Sequence, residues 1–388
     1  MKISDVKPDI DRLNDVVSKN YPAERIEGIR KLHLNTFMWQ GDHIPMALLC
    51  ADEKNTIHSY PGVEDPLPFF ALKVRNLVEC ASFASDLIPT ASLDYFGDCV
   101  LPSMLGCAIE MPERGTAVKD AAYVGPWIMP VIEDMKAVWD LEMPGLDAGY
   151  CPAALEAAAF FREHLPDNVN LSTIWKIEPF TLAALLRGTD IYTDCFDYPE
   201  ELHHLLDFCT DLFIMVEKAL RRISGHSDTD NVSHWGIVSP GIRLNGDTII
   251  NLSPAILREF VLPRWEKLAD AFGGPVYTHY CSTYASKGLH LFDAVWDCPY
   301  VAGLSTQVGV EYYRENYDTI KDRFVIESGY TGENTPNYFD TVNSADEWAA
   351  SFSQGGYKSG MLLSYTTRSR EHGLGIMRAL KRHSIIPE

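Results

Sequence analysis

Apolar positions along this chain follow two rhythms, and from about residue 168 onward the two alternate. Pro199 to Leu220 places Leu202, Leu205, Leu206, Phe213, Val216 and Leu220 on one stripe of helical period, with Pro199 suited to a first turn. That spacing predicts an amphipathic helix. Ser253-Pro254 reads as N-cap and first helical residue, followed by Ile256, Phe260, Trp265, Leu268 and Phe272 until Gly273-Gly274 ends the run. Pro263 predicts a kink within it. Ser344-Ala-Asp-Glu347 matches a capping box, Trp348 and Phe352 continue its apolar face, and Gly355-Gly356 closes it.

Between these helices lie short, mostly apolar runs at His234 to Pro240, Pro275 to Cys281, Tyr300 to Ser305, Arg323 to Glu327 and Gly360 to Ser364. Earlier ones are Ile44 to Leu49, the neighbourhood of Ala91 to Tyr95, and Asn170 to Ile177. Runs of this kind read as buried parallel strands. Strands with helical connections predict an α/β fold closed into a (β/α)8 TIM barrel, with an N-terminal helical extension and insertions. In that fold chemistry sits at the C-terminal strand ends, so polar residues there are the first candidates.

Composition agrees with a globular chain. Of 388 residues, 46% are hydrophobic and 22% charged, enough for a large core. No linker, repeat or low-complexity block divides it, which predicts a single domain over 1–388. The 33 Lys+Arg against 54 Asp+Glu give a net charge of -21, which repels phosphate backbones and anionic lipid heads and argues against nucleic-acid and membrane partners. A partner docking through a basic patch stays compatible. The polar start and a longest apolar run of only Ile44 to Ala51 lead to the expectation of a cytoplasmic protein. Nine cysteines without a C-x-x-C pair suit a reducing compartment.

The sharpest local signal is Val276-Tyr-Thr-His279-Tyr-Cys281-Ser-Thr283. Side chains alternate along a strand, so His279 and Cys281 project to one side, and imidazole with thiolate begins a zinc site. The plainer alternative is a buried histidine beside an inert core cysteine. A catalytic zinc needs a third protein ligand, for which Glu327 and Asp247 are candidates, Glu327 being taken as the third and Cys298 ranked below it. Arg243, Asn245 and Asp247, if extended, share a face and offer a charged fork, an amide and a carboxylate for catalysis or substrate recognition. In a loop that argument lapses. Phe37, Trp39, Tyr95, Phe96, Trp127 and Trp175 are candidate pocket liners, of which Trp39, Tyr95, Phe96 and Trp175 are taken as the substrate-binding set, with core packing as the alternative. Gly373-Leu-Gly375 lacks the third glycine and preceding strand of a dinucleotide fingerprint.

The order of segments resembles the uroporphyrinogen decarboxylase superfamily, which includes corrinoid-dependent methyltransferases acting on methylamines, methanol, coenzyme M and methyl ethers. Asp42-His-Ile-Pro45 resembles the family's opening Asp-Arg-Val-Pro, and Leu105-Gly-Cys-Ala-Ile-Glu110 its Gly-Ala-Glu segment. Glu178-Pro-Phe resembles a Gly-Pro-Phe helix start with Glu178 in place of glycine. Ser253-Pro to Phe260-Val-Leu-Pro263 and Gly355 to Ser364 resemble a later helix and the final strand. The resemblance implies the barrel. In the methyltransferases it implies zinc (Zn2+) on a His-x-Cys, here His279 and Cys281, and on a later cysteine, whose place falls near Thr367. Porphyrinogen decarboxylases carry an arginine-rich N-terminal loop, whereas Leu34 to Asp42 holds no arginine. The expected function is a zinc-assisted methyltransferase moving a methyl group between a small substrate, such as a methyl ether, and a corrinoid protein that brings cobalamin. The alternatives are a decarboxylase using Asp247, and a non-catalytic barrel binding a corrinoid or small ligand.

Overall fold

Short apolar runs become ten strands in the computed structural model, which describes residues 1–50, 65–110, 126–229, 231–280, 289–295, 297–306, 310–328, 339, 341–367 and 369–387. They are β1 (Met46–Cys50), β2 (Thr90–Ser92), β3 (Ile109–Glu110), β4 (Trp127–Ile128), β5 (Asn170–Ser172), β6 (Arg243–Asn245), β7 (Val276–Tyr280), β8 (Val301–Thr306), β9 (Val325–Ser328) and β10 (Met361–Thr367). β3 and β4 form a small antiparallel pair in the insertion after β2. The other strands are parallel: one sheet runs β1-β10-β9-β8-β7-β6, and β2 pairs with β5.

These two sheets make a barrel-like ring whose backbone ladder is interrupted twice. Between β5 and β6 the backbone link is the parallel bridge from Ile177 to Asn245. Beside that bridge, buried side chains tie the end of β5 to helix Pro199–Ser224 and the loop after it: Thr173 Oγ1 donates to Glu217 Oε2 at 2.7 Å, Arg221 Nε to Glu217 Oε1 at 2.8 Å, and Arg221 Nη2 to Asn231 Oδ1 at 2.7 Å. Lys176 Nζ donates to Ser172 Oγ at 3.2 Å in the same region. Between β1 and β2, Asp86 takes the Met46 N–H on its carboxylate at 3.1 Å, and Ser85 Oγ takes that of Leu48 at 3.2 Å. On the β1 side, side chains thus satisfy backbone donors that a closed ladder would use.

The predicted strand over His234 to Pro240 is a loop, and β6 lies just beyond it. Gly236 donates to the Ser233 carbonyl at 2.9 Å with φ +71°, and a Cβ there would stand 2.2 Å from the Ile88 carbonyl oxygen. The approach of two backbones forces a turn where the apolar pattern alone suggests extension. The long helix extends over Pro199–Ser224 and stops at left-handed Gly225. Pro263 has its effect as a π-helical turn, Leu257–Val261, joining Pro254–Ile256 to Leu262–Phe272, with Ser253 Oγ capping Ile256 N at 3.3 Å. The capping box begins three residues earlier than expected: Thr341 Oγ1 accepts from Ser344 N at 3.0 Å, and Ser344 Oγ accepts from Thr341 N at 3.1 Å. Ser344 is therefore the reciprocal member, and Glu347 is not required.

The N-terminal extension is two helices, Ile3–Asn20 and Ala23–Phe37. The first packs on helix Leu67–Ser82, with Arg12 to Glu79 at 3.2 Å and Asn20 Nδ2 to the Ala81 carbonyl at 2.9 Å. The second crosses the N-terminal end of the barrel. There Val238 N donates to His33 Nδ1 at 3.1 Å, Ser359 Oγ donates to the Thr36 carbonyl at 3.3 Å, and the Phe37 ring meets Tyr277 edge-on at 5.2 Å. Gly373 and Gly375 sit buried in the last helix, Arg370–Arg382, where a Cβ on Gly373 would stand 2.6 Å from the Phe83 ring. Their role is close helix packing. Among the described residues no helix is long and apolar enough to cross a membrane.

Candidate active site

Register and pleat bring four predicted or neighbouring polar residues into one row. Asn245 pairs with His279, His279 with Ser305, and Ser305 with Glu327, across β6, β7, β8 and β9. Arg243 and Tyr277 form the row one pleat nearer the strand starts. All six side chains are buried.

Charge in this interior is tightly partnered. Arg243 Nη1 donates to Asn245 Oδ1 at 3.0 Å and Nη2 to Ser305 Oγ at 3.3 Å, while its Nε stands 3.9 Å from Glu327 Oε2. The guanidinium lies 5.0 Å from the Trp235 ring centroid and 5.9 Å from that of Tyr277. Tyr277 OH and Ser364 Oγ both donate to the Glu327 carboxylate. Glu327 is thus directed at Arg243, Tyr277 and Ser364, the arrangement a carboxylate needs when it is 1% exposed.

His279 faces the other way along the row. Its Nδ1 lies 2.9 Å from the Ser305 carbonyl oxygen, which can only accept, so Nδ1 carries the proton and Nε2 the lone pair. Nε2 stands 3.7 Å from Asp247 Oδ1. Burial lowers the imidazole pKa, and Asp247 opposes it, so the ring is held toward its neutral form. Asp247 does not extend the strand face of Arg243 and Asn245. β6 ends at Asn245, Gly246 donates its N–H to the His279 carbonyl at 2.7 Å, and Asp247 opens the 3-10 turn Asp247–Asn251 with a side chain 49% exposed at the mouth.

Glu327, the expected third metal ligand, is turned to Arg243, Tyr277 and Ser364, and the carboxylate beside His279 Nε2 is Asp247 instead. Two ligands of one tetrahedral zinc at bond lengths of about 2.0–2.1 Å lie roughly 3.3 Å apart. His279 Nε2 and Asp247 Oδ1 stand 3.7 Å apart, with the Nε2 lone pair on the side of the carboxylate. Cys281 lies outside the described residues, among which no group of three His, Cys, Asp or Glu is placed to hold a metal. Thr367, where the resemblance places the later cysteine, ends β10 with Oγ1 donating to the Ser369 carbonyl at 3.1 Å.

The aromatic candidates divide. The Trp175 ring meets that of His234 at 4.7 Å, tilted by 42°, and His234 adjoins Trp235 and so the Arg243 interior. Tyr95 and Phe96 follow β2, and the buried Tyr95 hydroxyl has no hydrogen-bond partner among the described residues. Phe96 is wholly buried against Tyr95 at 4.3 Å. Trp39 belongs to the opposite end: it stacks with Tyr313 and covers Gly360, just ahead of β10. Trp127 is 70% exposed on β4, and Phe37 lies beneath Tyr277.

Several participants escape sequence reasoning. Tyr277 was accessible to the alternation that found His279, being two residues before it. Ser305 and Ser364 are ordinary strand serines until their neighbours are known. Lys176 is buried, and burial brings its ammonium pKa down to about 8 against the opposing charge of Glu217. Burial likewise pushes the Asp98 carboxyl up to about 7, with Asp247 adding repulsion.

Residues 93–226 match the model of the Uroporphyrinogen decarboxylase (URO-D) family. The fold is similar to that of a methyltransferase from Methanosarcina mazei, with a TM-score of 0.62 at 18% identity over 92% of this chain and 97% of that one. No curated protein matches the chain.

Proposed function

We propose, from the chain's fit to the uroporphyrinogen decarboxylase superfamily in segment and fold, that it is a methyltransferase moving a methyl group between a small substrate and a corrinoid carried by a partner protein. The observation that carries this reading is the His279 pair: a neutral imidazole of fixed tautomer facing a carboxylate at 3.7 Å beside the mouth of a barrel. His279, Asp247 and Cys281 would hold zinc, which when bound supplies a Lewis acid for the oxygen of a methyl ether. A carboxylate in place of a thiolate makes that acid harder and favours an oxygen-bearing substrate.

The chain's own residues do the rest. Ser305 keeps the imidazole oriented through its carbonyl. Arg243, braced by Asn245, Ser305 and Glu327, gives the interior a fixed positive charge beneath the mouth. Trp175 and the Tyr95 hydroxyl offer a face and a donor to an aromatic ether. A partner with a basic docking surface suits a chain of net charge -21. A decarboxylase reading has the family match in its favour, but no arginine lies between Leu34 and Asp42 to grip a polycarboxylate.

The experiment is metal analysis of the purified chain with a methyl-transfer assay from phenyl methyl ethers to cob(I)alamin. About one zinc per chain is expected, lost in His279→Ala, together with methylcobalamin formation. Absence of both metal and transfer refutes the proposal.

A further inference from the structure

Three prolines, Pro240, Pro275 and Pro299, stand shortly before β6, β7 and β8, at the barrel end opposite the His279 mouth. With no N–H to offer, they leave that rim poor in backbone donors. Together with Val301 and Ala302 of β8 they wall an open cavity of about 690 Å³, with Leu34, Phe37 and Met38 on its other side. A volume of this order falls in the range of roughly 300–1,000 Å³ typical of small-molecule sites, and the walls are of the apolar kind such sites use.

The polar groups are few and sit at one lip. Arg323 Nη1 donates to Asp297 Oδ1 at 2.9 Å, with both side chains more than half exposed. Cys298 contributes a half-buried thiol that burial holds up in its neutral form. The lip guanidinium is a planar fork with donors for a second anion. Met38, 55% exposed, flanks the opening.

We propose that this cavity is a ligand site separate from the barrel mouth, taking a flat aromatic or short aliphatic molecule that bears one acidic group. The apolar body lies against the prolines, Phe37 and Val301, and the acidic group meets Arg323.

The probe is 1-anilinonaphthalene-8-sulfonate, which has fused rings and one sulfonate. Saturable fluorescence enhancement is expected for the whole chain, with binding about tenfold weaker in Arg323→Gln, the scale of one lost charge-assisted contact. Ala302→Trp, which fills the cavity, should abolish the signal. The second readout needs no variant: saturating probe should slow iodoacetamide alkylation of Cys298 several-fold, followed by mass spectrometry of its peptide. Unchanged probe binding in folded Ala302→Trp, or unchanged Cys298 alkylation at saturation, overturns the proposal. Neither readout depends on metal or methyl transfer, so its failure leaves the methyltransferase reading to its own test.

Discussion

Glu327→Gln is the most informative single change to the barrel interior. The substitution keeps shape and removes charge, leaving Arg243, 4% exposed, without its carboxylate partner. Breaking a buried pair by removing one member costs about 3–5 kcal/mol, and an amide accepts less strongly from the Tyr277 and Ser364 hydroxyls that donate here. With an unfolding entropy of roughly 2.1 cal/mol/K per residue over 388 residues, that corresponds to a fall in Tm of about 4–6 °C. Thermal unfolding followed by circular dichroism measures it. The companion variant, Arg243→Met combined with Glu327→Leu, removes both charges and should be less destabilised than Glu327→Gln, because no uncompensated ion remains. A shift of under about 1 °C for Glu327→Gln, or a double variant worse than the single, would show that the pair is not the buried partnership inferred from the geometry.

Two further outcomes follow from burial elsewhere. Lys176 has its pKa lowered to about 8 in the fold, so between about pH 8 and its ordinary value of 10.5 the unfolded chain binds the extra proton and stability rises with pH. Urea unfolding of the wild type and Lys176→Met across that window should show their stability difference moving in favour of the wild type; a flat difference contradicts it. Glu178 caps helix Pro179–Arg187 by accepting from Thr181 N at 2.9 Å and takes the Trp265 indole N–H at 3.3 Å. Glu178→Gly, the residue the resemblance expects, should cost about 1–2 kcal/mol by denaturant titration; no loss would mean that the cap is idle.

The barrel strands were legible because burial on both sides writes a continuous apolar run, and β7 to β10 fall where such runs occur. His279 was legible for the same reason: pleating puts alternate residues on one side. The division of labour between Asp247 and Glu327 was not, since it depends on a turn beginning at Gly246 and on Ser364 arriving from another strand. Similarly, nothing local in Ser233 to Pro240 announces that Ile88 will press against Gly236. The helix start at Thr341 was hidden by an equally good box three residues on. Trp39 and Phe37 show the limit of composition: aromatic residues advertise a pocket without saying at which end of the barrel they will lie.

The interrupted wall has a mechanical consequence. A cask whose staves are laced all the way round has a fixed bore, but here the β2-β5 plank is joined to the six-strand arc through the Asp86 and Ser85 contacts on one side and the isolated bridge between Ile177 and Asn245 on the other. Those few contacts, rather than a continuous backbone ladder, hold the plank in its place, so a change to Asp86 or Ser85 falls on the ring itself and not only on its lining.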